Sequence, residues 1–433
     1  MKRYQLLIIY AQGDFKMKAI GIIHAYPGKE ILQALNEYEI HLFVPNGCGI
    51  KTDNERNVYI HEVELSETDE CVNIIFEVVK TYDIKMFLPL YEGGILLSAM
   101  VSTKANLNFY SIPTALASRN KYYLKQVMQL YGVPVPNSVP VYTFTPYSYI
   151  SNIIGENFIL KIVDSMNSQA VMLIKTEEEY NKNVKKLFGY IECEDITQSI
   201  DRNRFCYGKD DVKVIAQEYC SGAEVNVDVM ICGKEKYTLG IFQKADTKGP
   251  FFPETMSYYP SDLAEEVETH IIQNAIKACE ALDIRVGVVH VEFRMKDTVP
   301  CLLDMGLRPG GAYTIQAIEE ITGVNVITQM ADIFLKGICG KVEKKNNVSI
   351  IYGGIVFEES GKINRIEGLE GLEQIEGLRH FKQLVNIGDL VVSPPFSAQP
   401  HLCYYYISGE SIMANKEQHY KLQEMIKIDI EKK

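Results

Sequence analysis

The sequence predicts an α/β protein that begins with a parallel sheet and continues into mixed, mostly antiparallel sheets. In the first hundred residues, short apolar runs alternate with helical patterns, an order that is typical of parallel sheets. The apolar runs lie at 18–24, 40–45 and 85–89, and the helical patterns at 30–38, 69–81 and 90–103. Farther along the chain, strand-like runs at 212–219, 225–231 and 237–243 follow one another closely. Strands joined by such short turns favour antiparallel pairing.

The composition is that of an ordinary globular protein. Of the 433 residues, 47% are hydrophobic and 23% are charged, and the length favours two or three domains. The formal net charge of −12 argues against nonspecific binding to nucleic acid. No apolar run approaches the roughly 20 residues of a membrane-spanning helix, so we expect no membrane contact. The ten cysteines are dispersed without a CxxC pair, which predicts free thiols in a cytoplasmic protein.

A hairpin in the second half of the chain is predicted to bring two carboxylates together. Residues 288–294 alternate apolar and polar side chains and 296–298 are turn-like, which places Glu292 opposite Asp304 on the next strand. Directly opposed carboxylates destabilise a sheet, so a cation between them is expected. Oxygen ligands of this kind suit Mg²⁺, and a surface hairpin with scattered charges is the alternative. Arg308 follows in a Pro-Gly-Gly loop whose backbone can come close to a ligand.

Four other charged side chains are candidates for a binding site. Lys121 and Lys125 share one face of a predicted helix, with a solvated basic face as the alternative. Lys161 lies in a strand beside the polar loop 164–169, from which it could reach a phosphate; the alternative is a lysine that guards an edge strand. Glu92 follows the carboxyl end of a strand, where open α/β sheets bind ligands. Its alternative is a helix-start carboxylate that the helix dipole favours.

Five motifs occur in a fixed order along the chain. They are SRNK at 118–121, the lysine-bearing strand 158–163 with its polar loop, QEYCSGAEVNVDV at 217–229, HVEFRMK at 290–296 and LLDMGLRPGG at 302–311. In this order and spacing, the chain resembles the ATP-grasp superfamily. The C-terminal stretch GGIVFEESGKINRIEGLEGL further resembles the amino-acid and dipeptide ligase branch, the carboxylate–amine ligases. The resemblance covers nearly all of residues 17–428.

The resemblance implies an ATP-grasp fold in three parts. An N-terminal parallel α/β domain would occupy 17–118, and the ATP-grasp domain 119–340 would include a lid at about 156–222. A C-terminal α+β subdomain with an antiparallel sheet would occupy 347–433. ATP would lie between two antiparallel sheets. Residues 1–16 are interpreted as an extension or a misplaced start, because Met17 opens a strand-like run of its own.

The resemblance also implies roles for particular residues. Lys121 and Lys161 would contact the phosphates of ATP, and Ser165 and Ser168 would belong to the loop that closes over those phosphates. The hinge that binds adenine would be Glu218, Tyr219 and Cys220. Glu224 would bind the ribose. The metal, Mg²⁺ or alternatively Mn²⁺, would be held by Glu292 and Asp304. Arg308 would stabilise the acyl phosphate. The substrate candidates are Glu92, Arg294, Gly310 and Gly311.

Three departures from the family pattern concern the metal and the phosphates. Asp304 stands where the family usually has a glutamate, and Gly306 stands where it usually has a metal-binding asparagine. The loop 165–169 lacks glycine. We therefore expect the metal to keep more of its water, which Mg²⁺ tolerates. An active enzyme is still expected, because the paired lysines, the two carboxylates and Arg308 remain.

The implied activity is that of an ATP-dependent ligase. It would activate a small carboxylic acid, an amino acid first of all, as an acyl phosphate and join it to an amine. Three alternatives stay open: loading of an amino acid onto the pantetheine thiol of a carrier protein, an ATP-dependent carboxylase, and a degenerate nucleotide-binding protein without catalysis. The implied partners are small acid and amine substrates and, for the first alternative, an acyl carrier protein. A homodimer is also left open.

Overall fold

The computed structural model describes residues 17–25, 27–50, 57–66, 68–192, 212–245, 249–397 and 399–432. The predicted extension 1–16 and residues 193–211 of the predicted lid lie outside these ranges. The strands are β1 Lys18–Ile23, β2 Tyr38–Pro45, β3 Val58–Val63, β4 Ile84–Phe87, β5 Ser138–Val141, β6 Phe158–Ile162, β7 Met172–Ile174, β8 Val214–Glu218, β9 Glu224–Cys232, β10 Glu235–Lys244, β11 Met256–Tyr259, β12 Val286–Lys296, β13 Val299–Gly306, β14 Ser349–Val356, β15 Gly361–Glu367, β16 Leu378–Gln383, β17 Leu390–Val391, β18 His401–Gly409 and β19 Lys427–Glu431. The helices are α1 Lys29–Ala34, α2 Asp69–Tyr82, α3 Ile95–Ala105, α4 Ile112–Arg119, α5 Lys121–Leu130, α6 Tyr147–Ile154, α7 Glu177–Glu192, α8 Glu265–Ala281, α9 Thr314–Thr322, α10 Val326–Lys336 and α11 Ile412–Met425. Within the described ranges, no helix combines the length and the apolar character needed to cross a membrane.

The N-terminal part forms a parallel sheet, as its alternating pattern predicts. The strand order is β3-β2-β1-β4, and every neighbouring pair is parallel. The prediction of a helix over 30–38 is too long, because Tyr38 already pairs with Lys18 in the sheet. Strand β3 was not predicted; its residues are mostly half-exposed at the sheet edge, so they lack a strong apolar run. A short 3₁₀ turn, Glu92–Gly94, leads from the end of β4 into α3.

The centre of the molecule is an eight-stranded sheet in which every pairing is antiparallel. Its order is β13-β12-β9-β10-β11-β14-β18-β16. Between β12 and β9, the register places His290 opposite Asp228, Glu292 opposite Asn226 and Arg294 opposite Glu224. Because side chains alternate along a strand, these polar residues all share one face of the sheet. The intervening valines and phenylalanine on both strands are fully buried in the core.

A second antiparallel sheet lies across from this polar face. Its order is β5-β8-β6-β7, and it has its own apolar core under α6 and α7. A third, three-stranded sheet, β17-β15-β19, lies near the C-terminus. The two larger antiparallel sheets confirm the predicted fold class, in which a cleft is enclosed between them.

One apolar core joins the N-terminal sheet to the eight-stranded sheet. It contains residues from both, among them Ile20 and Leu42 of the parallel sheet and Val229 and Val289 of the eight-stranded sheet. At this junction the Tyr110 hydroxyl donates to the carbonyl oxygen of Val288 over 3.2 Å. A β-carbon at Gly287 would lie 2.1 Å from the Tyr110 oxygen, and the φ of Gly287 is +109°. Glycine is therefore required here by both space and backbone conformation.

Gly287→Ala is expected to lower the free energy of unfolding by about 2–4 kcal/mol, since overpacking and a positive φ both oppose alanine. Denaturant unfolding followed by circular dichroism measures this. Gly189→Ala is the matched control, because a β-carbon there meets nothing within 4 Å and the residue lies inside α7. The control is expected to be as stable as the parent or slightly more so. Equal stability of the Gly287 variant and the parent would contradict the account of this junction.

Candidate functional site

Most of the residues singled out from the sequence line one cavity between the two larger antiparallel sheets. Those that do are Glu92, Lys121, Lys161, Ser165, Ser168, Tyr219, Cys220, Glu224, Glu292, Arg294, Asp304, Arg308 and Gly311. Three are not among its lining residues. The Lys125 ammonium donates to the backbone carbonyl oxygens of Leu302 and Leu303 on β13. Glu218 turns its carboxylate to Lys296, at 2.5 Å, and Gly310 uses its backbone N–H to bind Asp228. The cavity therefore collects residues from distant parts of the chain.

The opposed carboxylates of the hairpin are present. Glu292 pairs directly with Asp304 between β12 and β13, as predicted. Each carboxylate is neutralised by a lysine: Lys121 Nζ lies 2.7 Å from Asp304, and Lys244 Nζ lies 3.0 Å from Glu292. Both carboxylates face the cavity, so the alternative of a surface hairpin with scattered charges is wrong. Sequence reasoning missed Lys244, which is the last residue of β10.

Lys244 lies at the centre of three carboxylates. Its ammonium is 2.9 Å from Glu224, 2.6 Å from Glu254 and 3.0 Å from Glu292, and the side chain is 5% exposed. Burial opposes its charge, but the three carboxylates prevail and hold the pKa of Lys244 well above its usual range. A fixed positive charge thus neutralises the acidic side of the cleft.

The lysines predicted to meet phosphates are buried rather than solvated. Lys121 and Lys125 are 8% and 2% exposed, so the alternative of a solvated basic face is wrong. Lys161 lies on β6, which has β8 on one side and β7 on the other, so it does not guard an edge strand. Burial and then the nearby Lys121 lower the pKa of Lys161 to about 8. Concentrated positive charge of this kind suits a bound polyanion.

The polar loop beside Lys161 has an unusual backbone. Asn167, Ser168 and Ala170 have φ values of 53°, 56° and 59°, a region that glycine normally occupies. The Ser165 carbonyl accepts a hydrogen bond from Lys121 Nζ over 2.5 Å, which ties the start of the loop to α5. The loop thus adopts left-handed backbone conformations at three positions without glycine. Backbone conformations of this type are concentrated at functional sites.

At the other end of the cavity, Glu92 lies between two arginines. Its carboxylate is 3.0 Å from Arg308 Nε and 3.3 Å from Arg119 Nη1, and Glu92 is only 6% exposed. Glu92 therefore orients the Arg308 guanidinium. The helix dipole alone, which was the alternative explanation for Glu92, does not account for these two ion pairs. Sequence reasoning missed Arg119, although it lies within the SRNK motif. A β-carbon at Gly306 would lie 3.0 Å from Glu92, so position 306 points toward this group.

Arg294 lies at a different end of the cavity from Arg308. Its guanidinium is 5.5 Å from the Tyr219 ring centre and 5.3 Å from that of Phe252, and its Nη1 is 3.2 Å from Glu224. Tyr219 and Glu224 are predicted hinge and ribose residues, so Arg294 stands beside the predicted nucleotide end. Gln217 also faces the cavity, and its buried Oε1 has no hydrogen-bond partner among the residues that the structure describes. Strand alternation along β8 explains why Gln217 points inward and Glu218 outward.

A charged pair that sequence reasoning missed lies under the Arg308 loop. His290 Nδ1 is 2.5 Å from Asp228 Oδ1, and His290 Nε2 is 3.5 Å from Glu292. Burial opposes protonation, but the Asp228 and Glu292 carboxylates raise the pKa of His290 to about 9. The alternation that places Glu292 on the cavity face also places His290 there, and this is the signal that could have identified it.

The side chains fit a magnesium ion that is shared with a phosphate ligand. Across the residues that the structure describes, no group of three or more His, Cys, Asp or Glu side chains could enclose a metal alone. Glu292 and Asp304 offer one carboxylate each on neighbouring strands. Mg²⁺ commonly takes one or two carboxylates and completes its shell with phosphate oxygens and water. The donor set is therefore suited to Mg²⁺ in the presence of a nucleotide.

Comparison with known proteins supports the resemblance to ATP-grasp proteins. A family model for the ATP-grasp domain matches residues 154–315. Dapdiamide A synthase from Enterobacter agglomerans is 23% identical over 335 residues, which cover 73% of each protein. Carnosine synthase 1 from Mus musculus is 30% identical over 114 residues, which are 26% of this chain and 14% of that longer protein.

The fold matches over almost the whole chain. The crystal structure of an L-amino acid ligase from Bacillus licheniformis superposes with a TM-score of 0.82 at 21% identity. The match covers 96% of this chain and 99% of the ligase. Residues 154–315 thus match an ATP-grasp domain, within a chain that has the fold of this ligase.

Proposed function

We propose that the protein is an ATP-dependent ligase that activates an amino acid as an acyl phosphate and joins it to an amine. The observation that carries this proposal is the meeting of Lys121, Lys161, Glu292, Asp304 and Arg308 in one cavity. Phosphoryl transfer to a carboxylate brings two anions together, so it needs cations at the point of transfer. The names of dapdiamide A synthase and of the L-amino acid ligase point to the same class of reaction.

The proposed reaction has two steps. A carboxylate oxygen of the first substrate attacks the γ-phosphorus of ATP, and ADP leaves. The amine nitrogen of the second substrate then attacks the acyl carbon, loses a proton, and phosphate leaves. The protein supplies no nucleophile of its own, and its contribution is positioning and charge stabilisation.

Each group has a proposed task in this sequence. Lys121 and Lys161 would neutralise the phosphates, and Arg308, oriented by Glu92, would face the charge that develops on the acyl phosphate. Glu292 and Asp304 would hold Mg²⁺, which neutralises phosphate charge when it is bound. Glu224 and Arg294 would lie beside the ribose and adenine. We propose Mg²⁺ as the ordinary metal and Mn²⁺ as a substitute.

The remaining proposals concern the alternative reactions, the cellular location of the protein and its oligomeric state. A carrier-protein thiol, in place of an amine, would leave that carrier acylated in a mass spectrum. A carboxylase would need bicarbonate for ATP turnover, and a nucleotide-binding protein without catalysis would bind ATP and show no acid-dependent turnover. We propose a cytoplasmic location because the dispersed cysteines favour free thiols, which a reducing compartment preserves. Analytical ultracentrifugation would test whether the protein forms a homodimer.

Lys161→Ala is expected to weaken binding of a nonhydrolysable Mg-ATP analogue by at least about tenfold, because a buried charge-assisted contact contributes about 1.5–3 kcal/mol. Isothermal titration calorimetry measures the change. Lys175→Ala is the control, since Lys175 is exposed just beyond β7 in the same sheet. An analogue that binds the Lys161 variant as tightly as the parent would exclude Lys161 from the phosphate site.

Arg308→Lys is expected to reduce the rate of phosphate release by about 100-fold or more while ATP affinity stays nearly constant. A guanidinium makes a two-point contact that an ammonium cannot make, and the charge it meets develops in the chemical step. Coupled phosphate-release kinetics and calorimetry measure the two effects. Arg365→Lys is the matched control, because the Arg365 side chain is exposed on β15 of the C-terminal sheet. Equal losses in ATP affinity and turnover would assign Arg308 to the nucleotide instead.

A further inference from the structure

Asp228 is a fully buried carboxylate on a strand of otherwise mostly apolar residues. Its exposed fraction is 0%, and it lies in the middle of β9, opposite His290 on β12. One oxygen, Oδ1, is 2.5 Å from His290 Nδ1. The other, Oδ2, accepts a hydrogen bond from the backbone N–H of Gly310 over 2.8 Å. Each oxygen of this carboxylate thus binds a different element of the site.

The Gly310 contact connects Asp228 to Arg308 through the loop between them. Arg308 Nη1 donates to the carbonyl oxygen of Pro309 over 2.8 Å, so its guanidinium is tied to the loop backbone. Asp228 holds the next residue of that loop in place. Glu92 holds the same guanidinium from the opposite side at Nε. Glu92 thus holds the Arg308 guanidinium directly, and Asp228 holds the loop backbone to which that guanidinium is bound.

The contact with His290 directs the imidazole ring. Because Nδ1 is bound to Asp228, Nε2 points along the cleft face toward Glu292, 3.5 Å away. The packing is close: a β-carbon at Gly310 would lie 2.8 Å from His290 Nδ1 and 2.7 Å from Thr314. The ring, the loop and Asp228 thus form one tightly packed unit.

Burying a carboxylate is costly unless its oxygens are satisfied, and apolar residues would often stabilise the strand as well or better. An aspartate at this position is therefore better explained by what it orients than by stability. We propose that Asp228 is a positioning residue that fixes the Arg308 loop and the His290 ring for the acyl-phosphate step. This inference rests on the ligase function proposed above, and it adds a residue that contacts neither ATP nor the reacting acid.

Asp228→Asn is the sharpest test, because the amide keeps the shape of the side chain but offers one acceptor oxygen where Asp offers two. It cannot accept hydrogen bonds from both Gly310 and His290 through separate oxygens. We expect kcat for phosphate release to fall by about 10- to 100-fold, as small displacements of catalytic groups do, with KM for ATP unchanged. Asp332→Asn is the matched control, since Asp332 pairs with Lys336 on α10 at the surface.

A proton NMR measurement tests the geometry without turnover. The short contact at His290 Nδ1 is expected to give a strongly low-field N–H signal, which His290→Gln would assign. This signal should disappear in Asp228→Asn and remain in Asp332→Asn. Its persistence in Asp228→Asn would overturn the proposal. If the parent shows the signal but no acid-dependent turnover, the ligase function fails while the contact itself is upheld.

Kinetics separate positioning from a purely structural role. If Asp228→Asn loses ATP affinity and melting temperature along with kcat, the role of Asp228 is structural and the proposal is overturned. An unchanged kcat in Asp228→Asn would also overturn it. If Asp228→Asn does not fold, Gly310→Ala tests the loop from its other side, because the added methyl group displaces it from His290 and Thr314. A lower kcat with unchanged ATP affinity in Gly310→Ala supports the proposal, and an unchanged kcat contradicts it.

Discussion

The architecture of the cleft depends on the neutralisation of two carboxylates that neighbouring strands hold side by side. Glu292 and Asp304 are paired in register, and their repulsion would oppose the hairpin without compensating charge. Lys244 approaches from β10 and Lys121 from α5, each within 3.0 Å of one carboxylate. The hairpin, the eight-stranded sheet and the helix after the SRNK motif are thereby coupled. A metal-bound nucleotide would enter a site whose charges are already balanced and arranged.

Strand alternation turns this charge balance into a site with two ends. Along β12, every second residue faces the cleft, so His290, Glu292 and Arg294 follow one another along its length. Arg294 stands beside Tyr219 and Phe252, whereas Arg308 stands beside Glu92 at the opposite end. The carboxylates lie between them, where the phosphates of a nucleotide and the carboxylate of an acid would meet. The same sheet thus sets the order and the spacing of these side chains along the cleft.

Sequence reasoning was reliable where the determinant is local. The turn after Lys296 and the period-two pattern before it were sufficient to place Glu292 opposite Asp304, and the alternation of strands and helices was sufficient for the parallel sheet. Sequence reasoning failed where the role of a residue depends on a partner far away in the sequence. Asp228 binds His290, 62 residues later in the chain, and Lys244 can be recognised only from the three carboxylates around it. A local pattern gives the face of a side chain but not its position along the cleft.

The proposed reaction requires a substrate carboxylate, and no other group, to receive the γ-phosphoryl group of ATP. The most direct measurement uses amino acids labelled with ¹⁸O in the carboxylate, supplied in pairs with ATP and Mg²⁺, and mass analysis of the released phosphate. We expect each phosphate to carry one ¹⁸O atom from the activated amino acid and a dipeptide to appear in equal amount. Turnover that releases phosphate without ¹⁸O would contradict the proposed reaction.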